Sequence, residues 1–109
     1  MTPTRGRATR RAAPAGGKTY VFRLFVAGHE SNSIQARANL LRLCKEYLYG
    51  RHEITIVDVL KDATAAFQHH VLLTPTLMLV APRPTVLLLG NLSDTKRVLA
   101  ALRLNGIEP

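Results

Sequence analysis

The sequence predicts a mixed α/β domain with the element order β-α-β-α-β-β-α, and three observations carry that prediction. A β-branched and aromatic stretch, Thr19 to Val26, is followed by apolar residues at helical spacing and then by a second β-rich stretch, Glu53 to Leu60. A nearly continuous apolar run, Val71 to Val80, is broken at Thr74-Pro75. Two more prolines, in Ala81-Pro82-Arg83-Pro84, separate that run from Thr85 to Leu89. Proline lacks a backbone donor and fixes φ, so Pro75 marks a turn and the start of a buried strand, Thr76 to Val80, rather than the inside of a strand or helix.

Each element follows from local pattern. In the first strand apolar side chains occupy both faces, interrupted by Arg23, which fits a strand covered on both sides and central in its sheet. His29 to Asn32 is a polar loop, and Asn32 or Ser33 is the expected cap of the helix that follows. Ile34, Ala38, Leu41, Cys44 and Leu48 form its apolar stripe, widened by Leu40 and Tyr47, and Gly50 ends it. Strand, helix, strand is a βαβ unit, so the first two strands are parallel with a right-handed crossover. Asp62 caps a short second helix through Ala63, Ala65, Ala66 and Phe67 that ends near His70. The third and fourth strands form a hairpin. Gly90-Asn91-Leu92 then turns the chain, and Ser93 or Asp94 caps a last helix, striped by Val98, Leu99, Ala101 and Leu102, that stops at Asn105-Gly106. This is the thioredoxin-like order.

A length of 109 residues is one domain, and a 47% apolar content is enough to build a core. The formal charge of +8 is unevenly spread. Arg5, Arg7, Arg10 and Arg11 fall in a Pro- and Gly-containing stretch without acids, so residues 1–17 read as a disordered basic arm, 18–105 as the domain and 106–109 as a tail. Such an arm suits weak contact with nucleic acid or anionic lipid, or is a solvated extension with no dedicated partner. The single cysteine, Cys44, rules out an internal disulfide, and without a secretory signal the expected location is the cytoplasm. Val71 to Leu92 has the hydropathy of a membrane span, but Pro75, Pro82, Arg83 and Pro84 would leave backbone groups unsatisfied in lipid, so no membrane is expected.

Candidate chemistry is sparse. A thioredoxin-type enzyme needs a thiol where the first strand meets its helix, and Gly28-His29-Glu30-Ser31-Asn32-Ser33 stands there instead. Cys44 falls on the helix stripe, as a core residue does. His69 and His70 lack a ligand at helical spacing and read as a solvated or partner-facing pair, with no metal site. Asp58 reads as a strand-edge or capping carboxylate rather than a general base. The expectation is a protein with no catalytic, cofactor or metal residues.

Lys18-Thr19-Tyr20, Leu24 to Gly28, Asn32-Ser33, Val57-Asp58-Val59-Leu60-Lys61, Thr74-Pro75-Thr76-Leu77, Pro82-Arg83-Pro84 and Gly90 to Asp94, taken together and in order, are the residues through which the chain resembles the KaiB family of circadian-clock proteins. The resemblance spans about Lys18 to Leu104. It implies a non-enzymatic regulator that binds the N-terminal ATPase ring of a KaiC-like protein, with Lys61, Phe67, His70 and Arg83 as partner-binding residues. The alternative is a stand-alone thioredoxin-like adaptor for another signalling protein such as a histidine kinase, in stress response for example. The resemblance also implies two folds, a thioredoxin-like monomer and a fold-switched tetramer, with Thr74, Pro75, Ala101 and Arg103 as conformational residues. Members that rest as tetramers carry Gly and Asp where this chain has Ala101 and Arg103. Ala for Gly favours helix by ~1 kcal/mol, and a basic group near a helix C-terminus adds ~0.3–1 kcal/mol. The monomer is therefore the expected resting state, with tetramer or dimer as the alternatives. Gln35, Thr55 and His70 stand where clock members tend to be basic, and Phe67-Gln68-His69 replaces an acidic stretch, so the partner surface is expected to have diverged.

Overall fold

In the computed structural model, which describes residues 18–71 and 73–104, a four-stranded sheet carries three helices. The elements are β1 (Tyr20–Val26), α1 (Ser31–Tyr47), β2 (His52–Asp58), α2 (Ala63–Gln68), β3 (Thr76–Ala81), β4 (Val86–Leu89) and α3 (Thr95–Ala101). Their order is the predicted one. The basic-arm reading of residues 1–17, the stop at Asn105-Gly106 and the tail lie outside the described residues.

The sheet order is β2-β1-β3-β4, with β1 parallel to β2 and antiparallel to β3, and β3 antiparallel to β4. Strand β1 is thus bonded on both edges. Its alternate residues Tyr20, Phe22, Leu24 and Val26 enter one core with Ala36, Leu40, Leu43 and Cys44 of α1, Leu77 and Leu79 of β3, and Val98 of α3. On the opposite face Phe25 is also fully buried. Each such Phe or Leu contributes about 1.5–3 kcal/mol by leaving water. The apolar run from Val71 onward is accounted for by β3 and β4, and among the described residues no helix is long and apolar enough to cross a membrane.

The phase of α1 differs from the predicted stripe. Ile34 and Leu41 are half exposed, whereas Ser33, Ala36, Leu40, Leu43 and Cys44 are buried. The cap is Glu30, whose carboxylate accepts from the backbone of Asn32 and Ser33, rather than Asn32 or Ser33 themselves. Ser33 is buried because its hydroxyl is doubly bonded: it accepts from the Ala27 N–H at 3.1 Å and donates to Glu30 Oε1 at 3.1 Å. With that polar residue fixed inward, the apolar face turns by about one residue, or ~100°. The helix ends at Tyr47, and Gly50 takes φ +73° in the turn beyond it.

Both later helices end in the same way. After α2, the N–H of Val71 reaches the carbonyl of Ala66 and that of His70 reaches Phe67; after α3, Leu104 reaches Leu99 and Arg103 reaches Ala100. These are Schellman closures, in which the residue past the cap adopts the left-handed conformation. His70 and Arg103 occupy those places, at φ +59° and +62°. Arg103 therefore lies just past α3 rather than in it, while Ala101 is its last helical residue. The loop before β3 is fixed by Thr76 Oγ1 donating to the Leu73 carbonyl at 2.6 Å and by Gly90 N–H donating to the Pro75 carbonyl at 3.0 Å. Pro75 is buried, and the Thr74–Pro75 bond is cis.

The left-handed site makes Arg103→Gly a stabilising change of about 1 kcal/mol, whereas Ala101→Gly, inside the helix, destabilises by about the same amount. Thermal unfolding of the two variants should move Tm in opposite directions, by ~4–8 °C each for a domain of this size.

Candidate partner-binding face

The junction of β1 and α1, where a thioredoxin-type thiol would stand, is occupied by hydrogen bonds to backbone. Glu30 Oε2 accepts from Asn32 N–H at 3.0 Å and Glu30 Oε1 from Ser33 N–H at 2.9 Å. Asp58, at the end of β2, accepts on one oxygen from the N–H of Gly28 and of Leu60, each at 3.0 Å. Gly28 has φ +54°, and a Cβ there would meet Leu60 Cδ1 at 3.1 Å, so the turn requires glycine. The backbone donors hold both carboxyls below their ordinary range: the Asn32 N–H foremost for Glu30, the Leu60 and then the Gly28 N–H for Asp58. Asp58 is thus a bracket between β1 and β2, as its strand-edge reading has it. Cys44 lies on α1 in the core, fully buried, and burial pushes its thiol up to about 12, far from the thiolate that disulfide exchange needs.

The second face of the sheet is where covering is incomplete. Register places Thr55, Arg23, Met78 and Leu87 in one row across the strands and Val57, Phe25, Thr76 and Leu89 in the next. Helix α2 buries none of its own residues. The contact is made just beyond its end. The ring of His69 lies 5.8 Å from that of Phe25, and Arg23 Nη1 donates to His69 Nε2 at 2.7 Å. The expected solvated histidine pair is therefore corrected. Both residues follow the last helical position, His69 is packed over the sheet, and only His70 is exposed. The missed signal was Arg23, a cation in an otherwise apolar strand that needs an acceptor above it.

Of the predicted partner-binding residues, three lie on the β2–β3 connection. Lys61 is exposed in the turn after β2, Phe67 is 83% exposed on α2, and His70 is exposed at the left-handed position. Leu60 and Leu73 add exposed apolar surface to the same connection. Arg83 is not with them. It sits in the β3–β4 turn, at the other end of β3 from the Thr76 that opens the strand. Gln35, exposed on α1, accepts from Asn91 Nδ2 at 2.9 Å, while Asn39 Nδ2 donates to the Asn91 carbonyl at 2.8 Å. Sequence periodicity gave no sign of this amide cluster, which ties α1 to the β4–α3 loop.

Strand order, the β3–β4 hairpin and the burial of β1 define a thioredoxin-fold domain, one whose lone thiol is enclosed in its core and whose β2–β3 connection carries exposed Leu60, Phe67 and Leu73. Solved structures agree on the fold. Chloroplastic thioredoxin z matches with a TM-score of 0.67 at 17% identity, over 84% of this chain and 83% of that one. The N-terminal domain of SasA from Synechococcus elongatus matches with a TM-score of 0.64 at 17% identity, over 84% and 90%. The sequence is more specific. The family model for the KaiB domain matches residues 23–104, and the circadian clock oscillator protein KaiB of Microcystis aeruginosa is 40% identical over 87 residues, 80% of this chain and 84% of that protein. The chain belongs to the KaiB family.

Because both junction carboxyls are held low in the folded state, their contribution to stability is full above the ordinary carboxylate range, ~4, and is lost as pH falls through the lowered values. Glu30→Gln and Asp58→Asn should each lower the urea midpoint at neutral pH and flatten its decline between about pH 5 and pH 2.

Proposed function

We propose that this chain is a non-catalytic clock-type regulator that binds the ATPase ring of a KaiC-like protein through the connection between β2 and β3. The observation that carries the reading is the 83% exposure of Phe67, with Lys61 and His70 on the same connection, in a chain that belongs to the KaiB family. A large aromatic left in water on a helix that buries nothing of its own is a ready anchor for a partner. Lys61 adds a charge that steers encounter, and the helix closure holds the His70 backbone with its side chain exposed. The relatives are named clock oscillator proteins, which favours this reading over an adaptor for a histidine kinase.

We further infer that the thioredoxin-like monomer is the resting state. Ala101 supports it, since it closes α3 with a residue that favours helix by ~1 kcal/mol over glycine, about a five-fold shift in a two-state equilibrium. Arg103 supports it less. Its charge near the helix C-terminus is favourable, but its left-handed backbone offsets that gain. Thr74 and Pro75 act at the start of β3, where the fold-switched half begins.

Two measurements test these readings. Against a purified KaiC-like ATPase in biolayer interferometry, Phe67→Ala should weaken binding by about 30-fold or more and Lys61→Glu should slow association; unchanged kinetics in both variants would refute the assigned face. In light scattering the wild type should be monomeric, and Ala101→Gly combined with Arg103→Asp should populate tetramer; a wild-type tetramer would reverse the assignment of the resting state.

A further inference from the structure

Four of the six acids among the described residues lie at one end of the sheet. There Glu30, Asp58, Asp62 and Asp94 each accept backbone N–H groups. The opposite end is cationic. Lys18 precedes β1, Arg51 precedes β2, Arg83 lies in the β3–β4 turn and Arg103 follows α3. Lys18, Arg83 and Arg103 line one depression of about 160 Å³, floored by Leu79, Pro82 and Val86 and without an acidic residue in its wall. Tyr20, also in that wall, donates its N–H to the carbonyl of Arg51 at 2.8 Å, which fixes the α1–β2 turn alongside. In that turn Tyr49 is 77% exposed.

These cations form no ion pair among the described residues. Among the described residues the one ion pair is Arg42–Glu46, and Arg51 has only a 3.4 Å contact from Nη2 to the carbonyl of Tyr47. Two acids lie toward this end: Glu46 at the end of α1 is paired with Arg42, and Glu53 on β2 stands in register with Val21. Unneutralised cations along a concave wall next to an exposed aromatic ring match the needs of a flexible polyanion with planar groups.

We propose that this end of the domain binds a single strand of nucleic acid, with phosphates on Lys18, Arg51, Arg83 and Arg103 and an unstacked base on Tyr49. An acidic peptide would use the cations and leave the tyrosine ring idle. A duplex keeps its bases stacked and would do the same. The depression presents no amide or carboxylate side chains for base edges, so binding is to backbone and ring faces with little sequence preference.

The test is fluorescence anisotropy of the full chain with a fluorescein-labelled, mixed-sequence single-stranded DNA of about a dozen nucleotides, titrated at several salt concentrations. Log affinity should fall linearly with log salt. Lys18→Glu with Arg83→Glu should reduce that slope by about 1.4, since each phosphate neutralised on a single strand adds ~0.7. Tyr49→Ala should weaken binding about five-fold or more and leave the slope unchanged. Replacing the four arm arginines with glutamine should weaken binding yet preserve the response to the Lys18 and Arg83 changes. Arg103 is kept, because its backbone conformation bears on fold stability, and circular dichroism checks that each variant is folded. The proposal is overturned if the Lys18 and Arg83 variant binds like wild type, if Tyr49→Ala has no effect, or if polyglutamate or a duplex of equal charge competes as well as the strand.

Discussion

Strand β1 is hydrogen-bonded along both edges and covered on both faces, and the other elements take their positions from it. Its even-numbered residues hold α1 and α3 on one side, and Phe25 with Arg23 holds the end of α2 on the other. A strand in that position has no solvent-facing row, so each of its side chains must find a partner. For Phe22, Leu24 and Phe25 the partner is packing. For Arg23 it is the imidazole nitrogen of His69, and that bond, with the Phe25–His69 ring contact, holds the end of α2 at the sheet. The asymmetry of the molecule follows: two helices close one face well, while the third leaves its own apolar residues in water.

Much of this architecture was legible in the residues. Prolines at 75, 82 and 84 divided an apolar stretch that hydropathy alone would have put in a membrane, and Asp62 and Asp94 sit where helix caps were expected. What periodicity could not resolve was the phase of α1, because Leu40, Leu41, Leu43 and Cys44 offer two overlapping apolar stripes. The choice between them was made by Ser33, a polar residue drawn inward by hydrogen bonds to Glu30 and Ala27. Hydrophobic counting assigns such a residue to solvent. His69 was misplaced for a similar reason, since its acceptor role depends on an arginine 46 residues earlier in the chain. The separation of Arg83 from Lys61, Phe67 and His70 is a matter of strand direction, visible once β3 is known to run antiparallel to β1.

The same bonds shape the electrostatic surface. A carboxylate that accepts backbone N–H groups is fixed in place and cannot swing out to neutralise a distant arginine. Cap formation and charge exposure are therefore two aspects of one arrangement: local bonding of acids at one end of the sheet leaves the cations of the other end available. Exposed apolar side chains stand on the β2–β3 connection, and basic ones line the depression at the β3–β4 turn.

Of the seven acidic residues in the chain, Glu30, Asp58, Asp62 and Asp94 are tied to backbone donors. Evolution has little freedom with them, because losing one would expose a helix start or a strand junction. The exposed lysines and arginines carry no such duty. Over the history of a lineage, the isoelectric point of this fold can thus drift through its basic residues alone, with the acidic set staying still as a frame. Adaptation to a new polyanionic or acidic partner would be recorded in the cations, and the carboxylates would mark the architecture that all such variants share.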